Sequence, residues 1–304
     1  MKKTLVILIL IFAVAGSQSV KAQQQPLYSQ YMLNDFLLNP AIAGTTTYSP
    51  IALTARQQWV GIDDHPRTIA LSGHTFLGRN DEMGAGGMIY SDVFGPIART
   101  GVMGTYAYKI RITNKTKLSF GLSLSAFQMK FDESDFNIID DNDVAFTGAA
   151  ETKMVPDANF GMYLYNEKYF VGYTTAQMFQ FQVKINGATD LSRMIRHHYI
   201  LAGYKFTMND NLKLEPSLML RTTEKTSMQV DINAKVLYKD NYWLGISYRT
   251  GDAFIAMIGL KADRYFIGYA FDYTLSNLSD FTYGSHEFLI GYKINKQTKG
   301  KALI

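Results

Sequence analysis

The sequence of 304 residues contains no cysteine and only seven prolines. Without cysteine, disulfide frameworks, thiolate metal sites and lipid attachment at a thiol are all excluded. Long apolar runs are equally scarce, because no segment beyond the N-terminus approaches the roughly 20 apolar residues that a transmembrane helix needs. Any membrane-spanning structure in this chain therefore has to be built from strands.

The N-terminus has the organisation of a secretory signal peptide. Lys2 and Lys3 form a positive n-region, residues 5–15 are apolar, and a small-residue cleavage motif precedes Gln23. The apolar stretch is too short to span a bilayer as a mature helix. We therefore expect residues 1–22 to be removed and the exported chain to begin at Gln23.

An excess of one charge is also lacking. The chain has 30 basic and 26 acidic residues, and loss of Lys2, Lys3 and Lys21 with the signal peptide leaves 27 against 26. Proteins that bind nucleic acid usually depend on a clear basic excess. We therefore expect no nucleic-acid partner.

What the sequence does contain is alternation with a period of two, clearest over residues 239–273. There, successive side chains switch between large apolar groups and a mixture of glycine, hydroxyls and charge, as on the two faces of a strand. This pattern predicts lipid on one side of the strand and a polar lumen on the other. The apolar face of its first strand is formed by Tyr242, Leu244, Ile246 and Tyr248.

The same period recurs along the chain in segments of about ten residues, the length of a membrane-spanning strand. The predicted fold class is all-β: a transmembrane antiparallel outer-membrane β-barrel of about 14 strands over residues 51–294, with a periplasmic tail at 295–304. A soluble sandwich or barrel is the structural alternative. The predicted strands are 51–59, 67–76, 83–93, 100–111, 117–131, 158–165, 169–177, 198–208, 212–222, 228–238, 242–249, 254–262, 264–273 and 286–294.

Connections on one side of the predicted barrel are uniformly tight, and every long connection falls on the other side. The long ones cover 60–66, 132–157, 178–197 and 274–285. Outer-membrane barrels keep short turns in the periplasm and long loops outside. We therefore predict that both termini lie on the periplasmic side.

Glycine next to an outward-facing tyrosine recurs four times at the lumen-facing parity of the strands. We interpret these glycines as places where the curved wall needs room. The pairs are Gly172-Tyr173, Gly203-Tyr204, Gly268-Tyr269 and Gly291-Tyr292.

The stretch before the first strand differs from the rest of the chain. Residues 26–50 carry many aromatic and aliphatic side chains without strand alternation, and Asn39-Pro40 is a turn signal. We predict that residues 23–50 form an N-terminal periplasmic or plug segment that folds into or under the barrel.

Five short motifs occupy the N-terminal third: Gln30-Tyr31-Met32-x-Asn34, Asn39-Pro40-Ala41-x-Ala43-Gly44, Arg56-x-Gln58-Trp59-x-Gly61, Pro66-x-Thr68 and Asp92-x-x-Gly95-Pro96. Together they resemble the PorP/SprF family of type IX secretion system outer-membrane proteins of the Bacteroidetes. The resemblance implies a barrel in the outer-membrane bilayer that binds, helps export or anchors secreted adhesins or gliding-motility proteins. The implied partners are translocon components and a secreted client, and we expect neither enzymatic activity nor a cofactor.

The motif residues are candidates for docking or for plugging the lumen. The outer loops are candidates for client binding, through Phe281 and Tyr283 and through the acid-rich loop that contains Asp140, Asp141 and Asp143. Calcium binding by that loop is an alternative, but the glycine and terminal glutamate of an EF-hand are missing at the required spacing.

Two sets of residues carry side chains of catalytic type: Asp63-Asp64-His65 in the first outer loop, and Ser72 with His74 on one strand face. The first set is explained more simply as a polar exposed loop, and Ser72 and His74 have no evident third residue to orient them. Two function classes therefore remain: an assembly or docking barrel with a closed lumen, and a porin or hydrophobic-compound transporter with an open one.

Overall fold

A computed structural model describes residues 25–78, 82–132, 150–183 and 192–294. Within these ranges no helix is long and apolar enough to cross a membrane. The described ranges contain three short 3-10 helices, at Asp35–Leu37, Pro40–Ile42 and Asn277–Asp280. The strands are β1 Ser49–Gln57, β2 Arg67–Leu77, β3 Met83–Phe94, β4 Ile97–Arg111, β5 Lys117–Asp132, β6 Ala150–Tyr165, β7 Tyr169–Ala176, β8 Gln182–Val183, β9 Ser192–Arg193, β10 His197–Tyr204, β11 Phe206–Thr207, β12 Leu212–Thr223, β13 Gln229–Tyr238, β14 Tyr242–Arg249, β15 Ala253–Ala262, β16 Tyr265–Thr274 and β17 Ser285–Ile294.

The strands close into one antiparallel barrel. The last strand pairs with the first, placing Ser49 opposite Ile294 and Gln57 opposite His286. Strand β11 continues β10 after a break at Lys205, whereas β8 and β9 form a separate hairpin. The barrel therefore has fourteen strands, which confirms the predicted fold class.

The predicted alternation of faces is present along the strands. In β14, Leu244 is 60% exposed on the outer surface, while Trp243 is only 3% exposed and points inward. Arg249 on the inward parity is fully buried. The outer wall is thus apolar, and the interior holds the charges and hydroxyls, as a lipid-embedded barrel requires.

Outward-facing tyrosines gather near both ends of the strands. Tyr242 and Tyr265 begin β14 and β16, and Tyr248 and Tyr273 lie next to the opposite ends of the same strands. Aliphatic side chains such as Ile246 lie between them. This order is typical of an apolar band between two aromatic girdles at the membrane interfaces.

The two mouths of the barrel differ in the length of their connections. At one mouth, the short-turn mouth, connections such as 239–241 and 263–264 contain two or three residues. The other, the long-loop mouth, carries the long connections, including 58–66 and 275–284. The predicted grouping of turns and loops is therefore present.

Residues 26–45, the inner segment, lie inside the ring of strands. Hydrogen bonds join them to inward-facing groups around the wall, including Glu287 on β17, Asn233 on β13, Ser72 on β2 and Lys109 on β4. Because the segment is apolar and has no strand alternation, the lumen is where it can be buried without interrupting the sheet.

The inner segment runs from the long-loop mouth to the short-turn mouth. Leu27 lies beside Trp59 and Leu278 at the long-loop mouth, and the chain reaches β1 at Ser49 on the opposite side. We expected both termini at the short-turn mouth, but the described chain begins with Gln25 at the long-loop mouth. The difference arises because the segment crosses the whole lumen before the first strand begins.

Inward-facing glycines leave the space that the inner segment occupies. A Cβ at Gly121 would overlap Pro40, and a Cβ at Gly84 would overlap the Ala43 carbonyl. Of the four glycines in the glycine-tyrosine pairs, two face the inner segment and two face aromatic rings of the adjacent strand of the wall, and their expected role in wall curvature stays a prediction. The facing groups are Asn39 at Gly172, Phe170 at Gly203, Gln30 at Gly268 and Phe266 at Gly291.

Candidate functional site

A buried ion cluster lies inside the barrel near the long-loop mouth. The Arg56 guanidinium is 2.7 Å from a carboxylate oxygen of Asp272 and 3.4 Å from one of Glu287. Arg249 is 3.1 Å from Asp231 and 3.6 Å from Asp272. These side chains come from strands β1, β13, β14, β16 and β17, so the cluster links five strands on one side of the wall.

The ion cluster holds the start of the inner segment. The backbone amides of Ser29 and Gln30 donate to the two carboxylate oxygens of Glu287, at 2.7 and 2.8 Å. The Ser29 hydroxyl donates to Asp272 at 2.7 Å, and Arg249 donates to the Tyr28 carbonyl at 3.4 Å. Backbone groups that have no strand partner are thus satisfied by charged side chains, which form the stronger kind of hydrogen bond.

The predicted motif around Gln30 continues these contacts. The Gln30 side-chain amide donates to the Glu287 carbonyl at 2.9 Å. Tyr31 is buried, and its hydroxyl accepts a hydrogen bond from Asn233 at 2.6 Å. The Met32 carbonyl accepts from Lys235 at 3.5 Å. The first motif therefore fastens the inner segment to strands β13 and β17.

The second motif forms a tight turn deeper in the lumen. The Asn39 side-chain oxygen accepts from the Ala41 amide at 2.9 Å, and Pro40 begins the 3-10 helix. The Asn39 amide group donates to the Met162 carbonyl of β6 at 3.1 Å. Because Gly161 has no side chain, this turn can lie directly against the wall.

Ser72 and His74, one of the two sets of catalytic type, contact the inner segment. Ser72 Oγ accepts from the Asn34 side chain at 2.9 Å, and His74 Nδ1 accepts from the Gly44 amide at 3.2 Å. Lys109 donates to the Gly44 carbonyl from the opposite side. Both side chains of this candidate catalytic pair therefore form hydrogen bonds to the inner segment.

The first and last outer loops are joined around Trp59. The Trp59 amide donates to the Ser285 hydroxyl at 3.0 Å. The Val60 amide donates to the Gly284 carbonyl at 2.9 Å, and the Tyr283 amide donates back to the Val60 carbonyl at 2.7 Å. Trp59 has a φ of 55°, a left-handed conformation that is strained for a bulky residue and is held by these surrounding bonds.

The other motif residues near this mouth fix the neighbouring loops. Gln58 is buried, and its backbone amide donates to the Pro66 carbonyl at 2.9 Å. Gly95, with a φ of 51°, donates from its amide to the Asp64 carbonyl at 3.0 Å, and the Pro96 carbonyl accepts from the Asp132 amide at 2.9 Å.

An open groove of about 670 Å³ lies between these loops at the long-loop mouth. Its apolar lining includes Leu27, Trp59, Phe94 and Leu278. Of the candidate client-binding residues, Phe281 and Tyr283 lie in the adjoining loop and are 70% and 81% exposed. The other candidates, Asp140, Asp141 and Asp143, lie outside the described residues.

The other set of catalytic type, Asp63-Asp64-His65, lies in the first outer loop between β1 and β2. His65 Nδ1 lies 3.2 Å from the Ile62 carbonyl and forms no hydrogen bond to Asp63 or Asp64. Within the four described ranges, no group of three or more His, Cys, Asp or Glu side chains is arranged to hold a metal ion.

Of the residues in the ion cluster, the sequence motifs singled out Arg56 and missed Arg249 and the three acids. Asp231, Asp272 and Glu287 lie on predicted strands, but no motif singled them out. Their positions in the alternating pattern could have indicated them. Each is a charged residue on the inward face of its strand, close to the end that lies at the long-loop mouth.

Comparison with solved structures gives the same architecture. A FadL homologue from Pseudomonas aeruginosa superposes with a TM-score of 0.51 at 9% identity, covering 85% of this chain and 93% of its own. The CymD monoaromatic hydrocarbon channel has a TM-score of 0.51 at 9% identity, covering 91% of this chain and 96% of its own. A search of curated proteins finds no match to the chain.

The closed fourteen-strand wall, its apolar outer face and these neighbours define an outer-membrane β-barrel protein. The family model of the type IX secretion system membrane protein PorP/SprF matches residues 20–292. The chain therefore belongs to the PorP/SprF family and is a membrane component of type IX secretion, as its N-terminal motifs indicated.

Proposed function

We propose that the protein is a non-enzymatic docking component of type IX secretion. In this role it binds a secreted client at the long-loop mouth and keeps its lumen closed with the inner segment. The proposal is supported chiefly by the inner segment, which is anchored at intervals from Ser29 near one mouth to Gly44 near the other.

The packing of the lumen favours docking over solute transport. An internal cavity bordered by Tyr28, Leu38, Asp92 and Arg99 has a volume of about 70 Å³. That is room for a few water molecules but not for a nutrient molecule. Passage of a solute would require the inner segment to break its hydrogen bonds to β13 and β17. The buried ion cluster would then lose the hydrogen bonds that it makes to this segment, and buried charges without partners are costly.

The long-loop mouth has the features of a protein-binding surface. Exposed aromatic rings such as Phe281 and Tyr283 are the side chains that most often anchor protein interfaces. We assign adhesins or gliding-motility proteins as clients and translocon components as further partners, following the family. Turnover is not part of the proposal, because Ser72 and His74 already serve as contacts of the inner segment.

Deletion of the gene tests this function. We expect particular secreted proteins to disappear from the cell surface while uptake of small solutes is unchanged. Affinity purification from detergent should recover a client or a translocon component, and the purified protein should show no steady conductance in planar bilayers. An unchanged surface proteome together with lost uptake of a nutrient would instead establish a transporter, the second function class.

A further inference from the structure

We infer that the groove at the long-loop mouth binds an extended, positively charged segment of the secreted client, with an apolar side chain seated against Trp59. The inference rests on the proposed docking function and names the site and the chemistry of the partner. It depends on three features of the groove: its apolar floor, its fixed shape and the acids in its lining and loops.

The floor of the groove is apolar and of limited size. Leu27 from the inner segment, Trp59 from the first loop, Phe94 from β3 and Leu278 from the last loop line it. Its volume of about 670 Å³ lies within the range of pockets that enclose a compact ligand. A few consecutive side chains of an extended peptide would fill this space, whereas the surface of a folded domain would not enter it.

The shape of the groove is fixed by hydrogen bonds rather than by its occupant. Trp59 is held in its left-handed conformation by the bond to Ser285 and by the paired bonds of Val60 to the last loop. Gly61 packs against the Tyr283 ring, where a Cβ would not fit. A preformed site avoids the cost of ordering loops on binding.

Among the described residues, the lining of the groove includes the acids Asp92 and Asp252 and no lysine or arginine. Two further acids, Asp63 and Asp280, are exposed in the loops that supply the lining residues Trp59 and Leu278. Arg67 lies on the outward parity of β2 with Ile69, so its charge points away from the groove. An apolar floor with carboxylates in its lining and in its loops is complementary to a segment in which lysine or arginine flanks a bulky apolar residue.

Peptide binding to the full-length protein in nanodiscs of neutral lipid tests the inference. The probe is a dye-labelled seven-residue peptide in which Lys alternates with Leu and Phe, compared with the same peptide carrying Glu in place of Lys. We expect the Lys peptide to bind at least tenfold more tightly than the Glu peptide, with an affinity that falls as salt is added. Protein-free nanodiscs correct for adsorption to lipid.

Two variants locate the binding. D63K/D280K should lower the affinity for the Lys peptide at least tenfold, whereas E167K/D210K, with the same change of charge in exposed turns at the short-turn mouth, should leave it unchanged. W59G removes the ring and supplies a residue suited to the positive φ, so it should weaken binding without straining the loop. Equal binding of both peptides, binding of neither, or equal effects of the two charge variants would overturn the inference.

Complementation of the gene deletion in cells distinguishes this inference from the proposed function. If deletion of the gene removes clients from the surface and the D63K/D280K protein fails to restore them although it is assembled, both stand. Full restoration by D63K/D280K would reject the groove and leave the docking function intact. No effect of the deletion itself would reject the docking function.

Discussion

Arg56 and Arg249 lie on strands β1 and β14 and bind the same carboxylate, that of Asp272, at 2.7 and 3.6 Å. Strands β1 and β14 are not neighbours in the sheet, so Asp272 on β16 connects the two arginines. The Ser29 hydroxyl donates to the same carboxylate. One side chain thus couples the wall of the barrel to the segment inside it.

Replacing Asp272 by Asn should strongly destabilise the folded barrel. The substitution removes the charge that both buried arginines share, and breaking a buried ion pair typically costs about 3–5 kcal/mol. Urea unfolding in lipid vesicles measures the effect. D280N, at an exposed position of the last loop, is the control and should change stability by less than about 0.5 kcal/mol.

Replacing Gly121 by Val should dislodge the inner segment. The new side chain would overlap Pro40 and the backbone of Ala41, which lie directly against this glycine. We expect the variant to conduct ions in planar bilayers and the wild-type protein not to. Gly104→Val on the neighbouring strand faces open space outside the barrel and should remain silent. Equal conductance from both variants would mean that the inner segment does not close the lumen.

Replacing Ile258 by Arg should impair insertion into the membrane. Ile258 is exposed on the outer wall near the middle of β15, where an arginine in lipid costs about 2–4 kcal/mol. Insertion is measured as the fraction of the protein that detergent extracts from membranes and that changes its gel mobility on heating. Leu275→Arg, beyond the end of β16, is the matched control and should insert normally.

Single cysteines should report the orientation without background, because the chain has none of its own. Cysteines at Asn277 and Gln25, both at the long-loop mouth, should react with impermeant maleimide on intact cells. Cysteines at Asn114 and Asn209, in short turns, should react only after permeabilisation. Labelling at Asn277 without labelling at Gln25 would contradict the observed path of the inner segment.

The strands were predictable from the sequence and the path of the inner segment was not. A residue such as Leu244 reveals its outward face through its neighbours two positions away, so the period of two locates each strand. Ser29 instead pairs with Glu287, which lies 258 positions further along the chain, and no local pattern carries that information. The motif at Arg56 indicated importance, but the carboxylates that neutralise it could be identified only from the closed barrel.

The bond between Ser29 and Glu287 also sets an order on folding. Glu287 belongs to β17, the last of the described strands, whereas Ser29 is among the first residues that the structure describes. The inner segment therefore cannot be fastened at this point until the final strand has arrived and β1 has found its partner. Contacts between such distant parts of a chain form slowly. A chain that ended before β17 would lack this carboxylate and also the strand that pairs with β1. Such a chain could neither close the wall nor fasten the inner segment at Ser29.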